Sequence, residues 1–479
     1  MKPLRPSKKW ILATIGLLAV LLILKILLLL TAKPKITVDY VAEYKRTSGV
    51  QNYDPDENAA PYYQKAFDTF VEPPDKFKYP HIDWPEDFNS AEQALLQEWL
   101  TSNRQAFEYF REAVDKPYYW LEREAKEDNF MGSMMLPELG PLRELTNALI
   151  WEAKLAALQG RLPAAFENIL DCYRAGKHKC RPNVFPTEQH VGLRIKETAI
   201  SAALVILDRV QVDNRASKFF QDDFQQELDT DTYVPGSQAE RLLDYDMLQR
   251  TFVDNGRGAG RLWWRMGFGI VIPLVGEGKI YERKIKLSCF TGPTKKQAAK
   301  QIEQTFSLFN QVITKTPWQI RDEGRDYFRE IENINKRYIS LEVFDIGIDA
   351  NSIFHSYHKT RAQTEALIAI LGTLRYKIDT GEFPEMLNGL VSSGYLQAVP
   401  NDPYSSGPLV YERTAGGFKL YSIGADFSDN GGTAIIEQTA RFLGPRMPLP
   451  PTRCADIVYW PIQQRGQVET DGIVTEPDY

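Results

Sequence analysis

The chain is short of cysteine, short of histidine and without a nucleotide-binding signature. Four cysteines (Cys172, Cys180, Cys289, Cys454) in 479 residues are too few for a disulfide scaffold. On one continuous helix Cys172 and Cys180 would stand about 12 Å apart along the axis, too far to bond. Five histidines leave few ways to build a metalloenzyme. No His-Glu-x-x-His helix and no Gly-x-Ser-x-Gly elbow occurs. Gly256, Gly258 and Gly260 lack the following Gly-Lys-Ser/Thr of a phosphate loop, so they predict a hinge or loop. A formal net charge of −6, with no long basic run beyond the N-terminus, argues against nucleic-acid binding. What is present is core material: 43% hydrophobic and 12% aromatic residues, in a chain long enough for two or three domains.

The one long apolar run lies at the start. Trp10 to Leu30 is interrupted only by Thr14 and Lys25, and about 20 apolar residues span a bilayer as a helix. Lys2, Arg5, Lys8 and Lys9 precede it, which places the short N-terminus in the cytoplasm and the bulk outside. The run exceeds a signal-peptide core and lacks a small-x-small exit, so an uncleaved signal-anchor over 10–31 in the inner membrane is expected.

The middle reads as helix. Ser90 is the expected N-cap of a helix through Leu95 and Leu96. Leu142, Leu145, Leu149 and Ala156 predict a second helix, stopped at Gly160, and Pro163 opens a third. Val191, Ile195, Ala199, Ala202 and Ile206 predict another over 188–210. Residues 142–177 look like a tetratricopeptide-type hairpin. No second copy follows at a fixed period, so a repeat-like body and a plain bundle both stay open. Leu262–Val275 is too short to span a membrane and reads as core or as an interfacial patch. Helical signals return at 294–313 and 321–345.

Near the C-terminus the order of parts is more telling. Leu367, Ile370, Leu371, Leu374 and Ile378 form one helical stripe, closed by Gly381 and Pro384. Leu387-Asn388-Gly389-Leu390 makes a further turn, and Asn401-Asp402-Pro403 opens an extended region. Leu409–Arg413 and Phe418–Ser422 have strand composition across Thr414-Ala415-Gly416-Gly417, which predicts a hairpin covered by the helix. Ser422-Ile423-Gly424-Ala425-Asp426 follows, ending at Asn430-Gly431-Gly432.

This succession, over roughly a sixth of the chain (359–432), resembles the globular part of the major, G-type pseudopilin of type II secretion systems. The resemblance implies a small α+β module in which the Ser-x-Gly-Ala-Asp loop helps to bind calcium. Carried over by position, Ser422 and Asp426 are the candidate ligands, with Asp429 near enough to join them. The alternative is an Asx turn in which Asp426 and Asn430 bond their own backbone. The chain departs from the family in that more than 300 residues separate the apolar leader from the module. The leader has Gly16 but no glutamate after it, so pilin-type processing is not expected. The whole arrangement resembles that of single-pass, membrane-anchored bacterial proteins.

Weaker constellations complete the reading. His355 and His358 share a side of a helix, and solvated positions are their commoner fate. Asp54, Asp56 and Glu57 read as a solvated acidic loop. The expected architecture is therefore mainly α: a cytoplasmic tail (1–9), an N-terminal transmembrane helix (10–31), a loop-rich linker (32–89) and an α-helical body (90–253). A glycine-rich hinge with an apolar segment (254–293), a helical connector (294–350), the pseudopilin-like module (351–433) and a proline-rich tail (434–479) follow. The expected function is binding or scaffolding of an envelope protein or peptide, with calcium stiffening the C-terminal loop. The alternatives are an envelope hydrolase, with carboxylates between body and module, and an atypical secretion pseudopilin.

Overall fold

The computed structural model describes residues 13–21, 23, 31–49, 53–78, 80, 83–126, 128–254, 256–263, 292–336, 350–433 and 456–462. They form a mainly helical protein with one small sheet. The expected N-terminal transmembrane helix is corrected: among the described residues, no helix is long and apolar enough to cross a membrane. Residues 13–21 are helical. Residues 10–12, 22 and 24–30 of the expected span lie outside the described residues.

The expected linker holds two helices, α1 (Tyr40–Ser48) and α2 (Ala60–Thr69). They were hidden by short length and by flanking Pro, Asn and Asp. Asp39 caps α1 through the Ala42 amide at 2.9 Å. The acidic cluster is a tight turn in which Asp54 accepts from the Asp56 amide at 3.0 Å. Helix α3 (Ser90–Ser102) is capped by Asn89 in a reciprocal box with Glu92, one residue before the expected cap. Helix α4 is Arg104–Val114.

Three long helices form the centre: α5 (Leu139–Leu158), α6 (Leu162–Lys179) and α7 (Pro186–Arg209). Gly160, at φ 76°, makes the tight turn between the first two. Helices α6 and α7 cross glycine on glycine. A Cβ on Gly176 would lie 2.6 Å from the Gly192 carbonyl, and one on Gly192 would lie 2.6 Å from that of Gly176. Cys172 and Cys180 are both buried and free. Helix α8 (Asn214–Asp229) and helix α9 (Gln238–Thr251) complete the body.

The glycine-rich stretch after α9 is not a loose hinge over its described part. Val253 donates to the Arg261 carbonyl at 2.9 Å, and Lys295 and Lys296 donate to Gly260 and Gly258 at 2.7 and 2.9 Å. Most of the apolar segment, 264–275, lies outside the described residues. Helices α10 (Lys295–Val312), α11 (Pro317–Asp322) and α12 (Tyr327–Lys336) follow. Capping boxes at Thr294/Gln297 and Thr316/Gln319 start the first two.

Helix α13 (Ala350–Thr380) is a shared wall. One side packs on α7 and α8, the other on the sheet. Ala362, Ala366, Leu367, Ile370 and Leu371 are buried in the same core as Leu409, Phe418 and Leu420. Ile378, expected in the stripe, is exposed. Arg375 ties the helix to the body through Gln221 at 2.6 Å and Asn214 at 3.1 Å. Gly381 closes it at φ 84°, and α14 (Leu387–Ser392) leads to the sheet.

The sheet has three strands in the order β1 (Val410–Arg413), β2 (Phe418–Ser422), β3 (Ile457–Trp460), both pairings antiparallel. The third strand corrects the expected proline-rich tail. Its run of β-branched and aromatic residues covers the open edge of β2 and buries Tyr459. The prolines at 445–451 masked it in the sequence.

Candidate functional site

The three residues expected to bind calcium have other partners. Ser422 is fully buried, and its hydroxyl donates to the Asp402 carboxylate at 2.7 Å. The same carboxylate accepts the Tyr404 and Ile423 amides, both at 2.9 Å. Asp402 thus ties the entry of the hairpin to the exit of β2. Asp426 accepts from the Ser428 amide and the Asn430 side chain at 3.2 Å each, the Asx-turn alternative. Asp429 accepts from the Tyr421 hydroxyl and the Gly431 amide at 2.9 Å each. A residue absent from the expected set, Asp456, gathers the amides of Asn430, Gly432 and Thr433 at 2.7–3.3 Å. Each of the three residues is therefore engaged in shaping the loop, Asp429 through one oxygen. Among the described residues, no group of three or more His, Cys, Asp or Glu is arranged to hold a metal ion.

Carboxylates at the seam between body and module are likewise committed. Glu197 pairs with Arg194 and Lys359 at 2.6 and 2.7 Å. Glu365 pairs with Arg361 at 3.3 Å, and burial raises its proton affinity. His355 and His358 lie on α13 amid rings of Phe354, Tyr357 and Tyr404. Burial lowers each to about 4, so both are neutral at pH 7.

A buried charge cluster braces the body instead. Arg123 reaches Glu138 and Glu188 at 2.6 and 2.7 Å, and Lys179 reaches Glu138 at 3.2 Å while lying 3.3 Å above the Tyr119 ring. Burial works against the charge on Glu138, yet Arg123 and Lys179 overcome it and hold the carboxyl at about 2. Burial brings Lys179 down to about 8. The adjoining cavity measures about 10 Å³, room for one water at most. The cluster joins the 118–123 segment to the ends of α5, α6 and α7, and nothing larger than water enters it.

The space for a ligand lies elsewhere. A groove of about 580 Å³ runs between the start of α9, helix α10 and the 182–183 turn, a size typical of binding clefts. Its floor is rigid. Buried Gln189 holds the Val184 and Gly236 carbonyls at 2.9 Å each, accepts the Gly236 amide at 3.0 Å and takes the Tyr233 hydroxyl at 2.8 Å. Only glycine fits at 236, because a Cβ there would sit 1.9 Å from the Pro182 carbonyl oxygen. Along the wall stand Gln238, Ser307, Asn310 and Gln311. At one end Arg241 grips Glu303 through contacts of 2.7 and 2.9 Å, and the Tyr245 hydroxyl donates to the same carboxylate. Burial pulls Glu303 upward, but these two donors outweigh it and keep the carboxyl ionised.

The groove offers amides, hydroxyls and one neutralised ion pair. Such a set hydrogen-bonds a polar backbone and holds no paired acid and base. Sequence reasoning missed it because its residues come from three distant stretches, none with a motif. The one local sign was the polar run Ser307, Asn310, Gln311 beside buried Phe306 and Phe309 on α10. Comparison with known proteins returns no match: no family model fits the chain, and no curated protein or solved structure is significantly similar to it.

Proposed function

We propose that this chain is a binding or scaffold protein of the cell envelope that holds an extended segment of a partner protein. The observation that carries the reading is the 580 Å³ groove, with Gln238, Asn310 and Gln311 on a floor fixed by Gln189. Side-chain amides both donate and accept, which matches the alternating groups of an extended backbone. The envelope location rests on the resemblance of 359–432 to a secretion-system module. What supports that kinship is a helix laid across the β1–β2 hairpin along one apolar seam.

The test is site-specific photocrosslinking in intact cells. A crosslinker at exposed Gln311 recovers one recurrent envelope protein, whereas one at exposed Gln226 on α8 does not. Equal recovery from both positions, or none from position 311, contradicts the reading. The identity of the captured protein then tests association with a secretion apparatus.

A further inference from the structure

A second cavity, of about 350 Å³, opens where α11, α12 and the start of α13 meet the loop after β2. Ile320, Phe328, Phe354 and Phe427 are the large apolar side chains of its wall. Three charged side chains reach it, and two are spoken for. Arg325 makes a two-point bridge to Glu330 at 2.8 and 2.9 Å. Asp326 accepts the Arg329 amide at 2.9 Å, where the positive end of α12 favours its charge. Arg321 is different. It is exposed, and among the described residues its side chain makes one hydrogen bond, to the Phe427 carbonyl at 3.2 Å, with no carboxylate partner.

Arg321 is nonetheless held in place. Its guanidinium lies 5.2 Å from the Trp318 ring and 4.8 Å from that of Phe427. Phe427 itself sits at φ 60°, a left-handed conformation that strains a bulky residue and persists only where its surroundings hold it. Its ring packs near Tyr404 and Trp318, and its carbonyl faces Arg321. The loop and α11 thus present a ring and an arginine to the same cavity.

We propose that this cavity binds a small carboxylate with a flat apolar body, an arylalkanoate in chemical class. The aromatic wall takes the body, and Arg321 takes the carboxylate through the paired N–H groups of its fork. A phosphate dianion fits less well, because one guanidinium and an apolar wall cannot replace its hydration. The site is separate from the polar groove and does not depend on that reading.

The experiment is calorimetric titration of the full chain with 3-phenylpropionate, its neutral amide and acetate. The carboxylate binds at one site per chain, and the amide and acetate bind at least about tenfold more weakly. Arg321→Gln loses about tenfold in carboxylate affinity, and Arg321→Lys loses less. Ala425→Trp fills the cavity and abolishes binding with Arg321 intact, which separates occlusion from misfolding. Ser307→Trp, in the polar groove, binds as the parent chain does. No binding at millimolar concentration, equal binding of acid and amide, or an unaffected Arg321→Gln chain would overturn the proposal.

Discussion

Removing the Asp402 carboxylate should unfasten the C-terminal sheet. Its two oxygens accept three donors at 2.7–2.9 Å: the Ser422 hydroxyl and the Tyr404 and Ile423 amides. Asp402, Tyr404 and Ser422 are all buried. In Asp402→Ala each donor loses its partner, at about 1–3 kcal/mol apiece. Water entering the space left by the side chain recovers part of this, so the expected loss is about 3–5 kcal/mol. Asp402→Asn keeps one acceptor but turns an NH2 group toward a donor, and should cost about 2 kcal/mol. Ser422→Ala removes one bond and should cost about 1 kcal/mol. Urea unfolding gives the global figure, and hydrogen exchange at the Tyr404 and Ile423 amides gives the local one. The Ser422→Ala cost should be the same with calcium and with a chelator, because that hydroxyl already has its acceptor. The reasoning fails if Asp402→Ala costs less than about 1 kcal/mol, a value ordinary for a surface change. It also fails if the Ser422 effect appears only when calcium is present.

Three further outcomes follow from the body. Asp171 is buried with Arg111 no nearer than 3.8 Å, and burial raises its carboxyl to about 7. The folded form then holds a proton that the unfolded form releases near pH 4, so this group's stabilisation is full below pH 4 and is lost as pH rises to 7. Asp171→Asn should flatten that slope and gain stability at pH 8, by up to about 4 kcal/mol, in thermal unfolding across pH. Gly176→Ala should cost about 2–3 kcal/mol by forcing α6 from α7, read from denaturant midpoints, because the added Cβ meets backbone at 2.6 Å. Arg123→Met leaves Glu138 and Glu188 buried without their shared cation and should cost about 3–5 kcal/mol, whereas the quadruple change that adds Glu138→Leu, Glu188→Leu and Lys179→Met, so that no member of the cluster is left unpaired, should recover most of it.

Local chemistry was legible and distant pairing was not. The ribbon lies at Val410–Arg413 and Phe418–Ser422, within a residue of where strand composition and a short glycine loop placed it (409–413 and 418–422), because both signals sit in one short stretch of chain. The positive φ of Gly160 and Gly381 follows from helix closure, a single-residue property. Strand β3 pairs with β2 from more than 30 residues away, and no local pattern announces such a partner. The calcium expectation was carried by position from the resemblance onto Ser422, Asp426 and Asp429, residues of one short loop. Which donor each oxygen meets depends on Asp402, twenty residues back, and on Asp456, beyond the loop. The charge cluster assembles one residue each from positions 123, 138, 179 and 188, so spacing carried no trace of it. The apolar leader shows the reverse limit: composition proposed a span that no described helix is long and apolar enough to make.

The central claim is that the groove beside α10 seats an extended peptide. The direct measurement is affinity selection of a peptide library on the full chain, followed by titration of the selected peptide against the parent and Ser307→Trp chains. The account predicts binding to the parent, loss of at least about tenfold in Ser307→Trp, and protection of the Gln238–Arg241 amides from exchange. A selected peptide that binds both chains alike, or that protects no residue of the groove, would contradict it.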